Sequence, residues 1–133
     1  MKLDILFVHP NAAKKIYQDL SKDHSAIEPP IWAGMLNNAC LKKGYRSEIL
    51  DCEVLKYNYE KSAETIKDLN PRIACFVVYG QQPSASSQNM EGAVEISKNL
   101  KNLTKDIKIL FVGGHVAALP YETLENEKSI DIV

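Results

Sequence analysis

The stretch that most constrains this chain is Arg72 to Tyr79 (RIACFVVY), apolar at nearly every position after its first. A strand with one wet face alternates apolar and polar residues, whereas a continuous apolar strand needs cover on both faces. That requirement predicts a parallel sheet sandwiched between helices. Leu3 to Val8 (LDILFV) has the same character and stops at His9-Pro10-Asn11, where the proline disfavours continuation. Arg46 to Cys52 (RSEILDC), Lys108 to Val112 (KILFV) and Ile130 to Val133 (IDIV) complete five expected strands.

Helical patterns fill the intervals. Pro30 to Lys43 starts on a proline, which a first turn tolerates, and ends at Gly44. Ile31, Gly34, Met35, Asn38 and Leu41 keep to one of its faces. Tyr59 to Leu69 carries Ala63, Ile66 and Leu69 as a stripe and is ended by Asn70-Pro71. Ser87 to Leu103 carries Met90, Val94, Ile96 and Leu100, and Pro120 to Glu125 starts a short helix. Asn11 to Pro29 is polar and irregular, with a short helix conceivable over Ala12 to Leu20. Strands alternating with helices predict a doubly wound α/β domain over residues 1–133, its five mainly parallel strands in the flavodoxin-like, Rossmann-like order 2-1-3-4-5. The last expected strand has no closing helix, which predicts a domain cut from a longer protein.

Composition removes several classes. The 133 residues suit one domain. Sixteen Lys and Arg are mixed with seventeen Asp and Glu, for a formal net charge of -1, so no basic face is expected for nucleic acid. No apolar run is long enough to span a membrane. The amino terminus carries an acid inside its apolar stretch and lacks a cleavage site, so it does not read as a secretory signal. Cys40, Cys52 and Cys75 are too far apart to form a metal cluster, and an odd, unclustered set points to a reducing compartment, the cytoplasm. Cys75, within the most apolar strand, is expected to be buried packing.

In a doubly wound sheet, ligands bind beyond the carboxyl ends of the strands, where the order reverses between strands 1 and 3. Three segments should meet there: His9-Pro10-Asn11, Tyr79-Gly80-Gln81-Gln82 with Ser84, and Gly113-Gly114-His115. Usual occupants of such a crevice can be tested by subtraction. No G-x-G-x-x-G follows strand 1, no G-x4-G-K-[ST] occurs, and strand 3 lacks the Asp of a phospho-acceptor. Gly113 and Gly114 remove two Cβ atoms, which suits close approach by a ligand and equally suits a tight turn. The loop Gly80 to Ser87 offers amides and hydroxyls to a polar ligand, or a serine to cap the next helix.

These landmarks, in this order, make the chain resemble the cobalamin-binding domain at the front of radical S-adenosylmethionine (SAM) enzymes. They are ILFVHP, Glu28-Pro29-Pro30, Gly44-Tyr45, Asp51, Asn70-Pro71, and Gly113-Gly114-His115 leading to Ala118-Leu119-Pro120-Tyr121-Glu122-Thr123-Leu124. The resemblance implies cobalamin with its nucleotide tail in the crevice, held by His9, Pro10, Asn11, Tyr79, Gly80, Gln81, Gln82, Ser84, Gly113, Gly114 and His115. It also implies a downstream catalytic domain with a [4Fe–4S] cluster and SAM, whose C-x3-C-x2-C does not occur here. Many members have Asn-Pro-Pro where this chain has His9-Pro10-Asn11. The D-x-H-x-x-G signature that places histidine under cobalt fits none of His9, His24 and His115. The resemblance therefore implies a detached tail and a cobalt without a histidine from this domain. Other readings stay open: a docking domain that has lost cobalamin, the nucleotide-sugar half of a transferase, or a stand-alone cobalamin carrier.

Overall fold

The computed structural model describes residues 1–11, 29–79 and 83–133, with the backbone alone over 83–88. Among these, four strands form one parallel sheet: β1 (Ile5–His9), β2 (Ser47–Asp51), β3 (Ile73–Val78) and β4 (Lys108–Gly113), in the order β2-β1-β3-β4. Five helices accompany them: α1 (Ile31–Lys42), α2 (Tyr59–Leu69), α3 (Pro83–Leu103), α4 (Gly114–Ala118) and α5 (Pro120–Asn126). The parallel α/β class and the order of the first four strands follow the sequence expectation. The helix considered for Ala12 to Leu20 lies outside the described residues.

The expected fifth strand is a correction. Ile130 to Val133 contributes one parallel bridge, Leu110 to Ile132, and no ladder beyond it. Asp131 strengthens this edge contact. Its Oδ2 accepts from the Ile109 amide at 2.7 Å and from Lys101 Nζ at 2.8 Å, so a side chain satisfies a backbone donor of the sheet edge. α3 is a second correction. It begins at Pro83, not Ser87, because proline lacks an N–H and its fixed φ suits a first turn. Ser84 to Ser87 therefore belong to a helix, and Gly80, Gln81 and Gln82 lie outside the described residues.

Among the described residues, the two faces of the sheet are covered unequally. Alternate strand residues point to opposite faces. Leu6, Val8, Ala74, Phe76, Val78, Ile109 and Phe111 join Ala63 and Ile66 of α2 and Met90, Ala93, Ile96 and Leu100 of α3 in one large core. The second face has a small core of Phe7, Ala33, Cys75 and Val77, with Leu110, Val112 and Tyr79 only partly covered. α1 supplies its roof and packs mainly on β1 and β2. It approaches through Ala33, so the stripe expected from the sequence is turned outward: Ile31 is 64%, Met35 59% and Leu41 51% exposed. In α2, Ala63 and Ile66 are buried but Leu69, in its last turn, is 38% exposed.

Candidate functional site

β1, β3 and β4 end at one edge. Val8 lies beside Phe76, and Val78 beside Gly113, so the three carboxyl ends are level. The chain leaves this edge in different directions. His9, two residues beyond Phe7, faces the α1 side. Its Nδ1 donates to Asp51 Oδ1 at 3.1 Å, and its Nε2 lies 3.9 Å from Glu53 Oε2. Pro10 is buried, and Asn11 turns toward the other face, where its Nδ2 donates to the Tyr57 carbonyl at 3.3 Å. Gly92 of α3 permits this path, since a Cβ there would stand 2.7 Å from the Asn11 carbonyl oxygen.

Tyr79 leaves β3 on the α1 side, stacked on Trp32 with ring centroids 4.8 Å apart. These two aromatic rings lie on the α1 side of the sheet, where Val77 is buried and Val112 of β4 half-buried. Gly113 serves the strand itself. At φ +150°, its missing Cβ would collide with the Val78 carbonyl oxygen, so close backbone approach requires glycine there. Gly114 is exposed and opens α4, a helical turn that the sequence reading did not anticipate. That turn carries His115 away from the other segments, into a groove of about 430 Å³ shared with Glu91, Glu95 and Lys98 of α3 and Glu122 of α5.

The sequence reading also missed Asn89. Its Nδ2 donates to the Tyr79 carbonyl at 3.3 Å, while its Oδ1 is buried and has no hydrogen-bond partner among the described residues. A buried acceptor left unpaired costs about 1–3 kcal/mol, so this position, beside the end of β3, suits a ligand that brings an N–H or O–H. Asparagine is a poor helix former, and its occurrence within α3 was the available signal. The cysteines add no chemistry: burial pushes the Cys52 thiol up to about 11 and the Cys75 thiol up to about 12. Among the described residues no cluster of His, Cys, Asp and Glu could hold a metal ion, and no helix is long and apolar enough to cross a membrane.

A parallel sheet in the order β2-β1-β3-β4 with helical crossovers defines a Rossmann-like α/β domain. Residues 24–133 match the family model described as B12 binding domain, and the chain belongs to that family. Membership supports cobalamin as the ligand. Comparison with curated proteins and with solved structures returned no match.

Proposed function

We propose that cobalamin binds over the carboxyl ends of β1, β3 and β4, with its nucleotide tail in the gap between α1 and the second face of β3 and β4. The observation that carries this reading is the unequal cover of the sheet, which leaves Tyr79 and Val112 only partly covered beside the switch point of a B12-family domain. Tyr79 and Trp32 offer flat apolar surface to the benzimidazole end. Asn89 Oδ1 and the segment Gly80, Gln81 and Gln82 with Ser84 are assigned to the amide arms and the phosphate. Asn11, Gly114 and the backbone at Pro10 and Gly113 line the edge. His115 takes a peripheral place, because it lies in the α3–α5 groove.

The cofactor, when bound, supplies cobalt-centred chemistry such as methyl transfer or rearrangement. The domain's part is to bind the tail, keep it off the cobalt and exclude water from its ring. In this reading residues 1–133 are the cobalamin-binding part of a longer cytoplasmic radical SAM protein, whose catalytic domain carries the [4Fe–4S] cluster and SAM. The test is to mix the purified chain with hydroxocobalamin and separate it by gel filtration. Coloured protein is expected, and colourless protein rejects the proposal. One observation favours a second reading, a docking domain without cofactor: the exposed apolar residues of α1 suit contact with the rest of such a parent. Under that reading the protein elutes colourless and the purified catalytic part binds it.

A further inference from the structure

We infer that Asp51 and Glu53 hold His9 away from the metal of a bound cobalamin, so that the strand ends themselves enforce a cobalt without histidine. The inference rests on the cobalamin reading above and adds a task for two carboxylates that the reading leaves unused. His9 is the described histidine on the α1 side of the switch point, and is thus the one placed to compete for cobalt. It stands in register with Asp51 on the neighbouring strand, and Nδ1 donates to Asp51 Oδ1 at 3.1 Å. Asp51 is itself fixed. The same oxygen accepts the backbone N–H groups of Glu53 and Val54, each at 3.1 Å.

The second nitrogen decides the matter. A carboxylate on one ring nitrogen is a common way to aim the other at a metal. Here the other nitrogen, Nε2, faces Glu53 Oε2 at 3.9 Å. Metal ligation needs an outward lone pair of the imidazole with room for the metal beside it, and the Glu53 carboxylate stands next to the nitrogen that would offer one. The three side chains are 16%, 15% and 13% exposed, so water screens the arrangement little. Removing Glu53 alone would leave the Asp51–His9 pair with a free Nε2, the arrangement that favours ligation.

The experiment loads the chain with cobalamin, reduces it to Co(II) and records its paramagnetic resonance, with histidine labelled by the heavy nitrogen isotope. The wild-type chain is expected to show no hyperfine splitting that responds to the label. Glu53→Ala is expected to gain label-dependent splitting, and His9→Phe added to it to lose that splitting again. Label-dependent splitting from His9 in the wild-type chain overturns the inference, as does a folded, cobalamin-loaded Glu53→Ala without it. Should Glu53→Ala fail to fold, the ring-nitrogen resonances of His9 in the wild-type chain decide: unchanged on loading with Co(III) cobalamin supports the inference, and the large shift of a metal-bound nitrogen overturns it. A colourless wild-type chain is recognised before any spectrum and rejects the cobalamin reading itself, and this inference with it.

Discussion

The two faces of the sheet are made from the same strands and do different work. On the first face, Phe76 and Phe111 are fully buried, with ring centroids 5.0 Å apart, beneath two long helices that pack on each other. On the second, Cys75 and Val77 of β3 are buried, yet their neighbours Leu110 and Val112 on β4 are half covered and the α1 roof sits to one side. A closed face holds the fold, and a partly open one leaves apolar surface whose burial a ligand can complete. The contrast also explains why β3 had to be apolar throughout: one side packs the core, and the other floors the gap.

The sharpest way to break the contrast is to damage each face through the same strand. Phe76→Ala should cost about 3–5 kcal/mol, because a large side chain leaves a cavity that its neighbours fill poorly. Val77→Ala, one residue away on the other face, should cost about 1–2 kcal/mol, in proportion to the apolar carbon removed. Urea denaturation of both variants measures the difference. Equal losses would show that the two faces contribute equally and that the second is closed.

The glycine pair separates strand from site in the same way. Gly113→Ala places a Cβ against the Val78 carbonyl at a backbone angle unfavourable to any side chain, and should cost about 2–4 kcal/mol. Gly114 is exposed at the start of α4, so Gly114→Val should change stability by no more than about 1 kcal/mol. In the proposed site it should nevertheless weaken cobalamin binding about tenfold or more, some 1.4 kcal/mol. Thermal melts and a cobalamin titration of each variant check the pair. If Gly114→Val leaves affinity unchanged, α4 faces away from the ligand.

How much of this was legible in the sequence differs between the faces. The first face was readable: Met90, Val94, Ile96 and Leu100 were picked out as the apolar residues of this helix and are all buried. Continuous apolarity in β3 pointed to the parallel class, and the flavodoxin-like order, the natural choice for a doubly wound sheet, matches the four strands observed. The second face misled. Ile31, Met35 and Leu41 have the spacing of a core stripe, but the helix meets the sheet through Ala33, whose small side chain allows close approach. Spacing tells which residues share a face, not which way that face is turned. The carboxyl ends of β1, β3 and β4 share one edge, yet the described side chains that leave them diverge, because α4 begins at Gly114 and carries His115 off. Asn89 went unseen because its orphaned oxygen is a property of packing, not of pattern. At Pro83 the rule applied to Pro30 would have found the helix start.

Trp32 tests the open gap more gently. It is 50% exposed and stacked on Tyr79, so Trp32→Ala should cost about 1 kcal/mol of stability. If the two rings border the tail site, cobalamin affinity should fall about fivefold to tenfold, equivalent to about 1 kcal/mol. Trp32→Phe keeps a flat ring and should recover most of it. Titration by the change in cobalamin absorbance measures all three proteins. An unaltered affinity in folded Trp32→Ala would move the ligand away from α1.

The smallest expected effect concerns the edge of β4, where the chain's last residues are clasped. Burial alone would raise the Asp131 carboxyl, but the hydrogen bonds from Lys101 and the Ile109 amide, together with the Lys101 charge, hold it below its ordinary value. A carboxyl depressed in the folded state contributes stability above its unfolded pKa of about 4, and that contribution fades as pH falls through the folded value. The group is partly solvated, so the contribution is about 1 kcal/mol or less. Asp131→Asn should remove it at neutral pH, and the wild-type chain should converge on the variant as pH falls through the folded value. The loss should be local: Ile109 and Ile132 amides should exchange faster, while amides of Ala74 and Phe76 on β3 keep their protection. Hydrogen exchange followed residue by residue checks this. Uniform loss of protection across β3 and β4 would show that the last segment is part of the closed core rather than a clasp at the open edge.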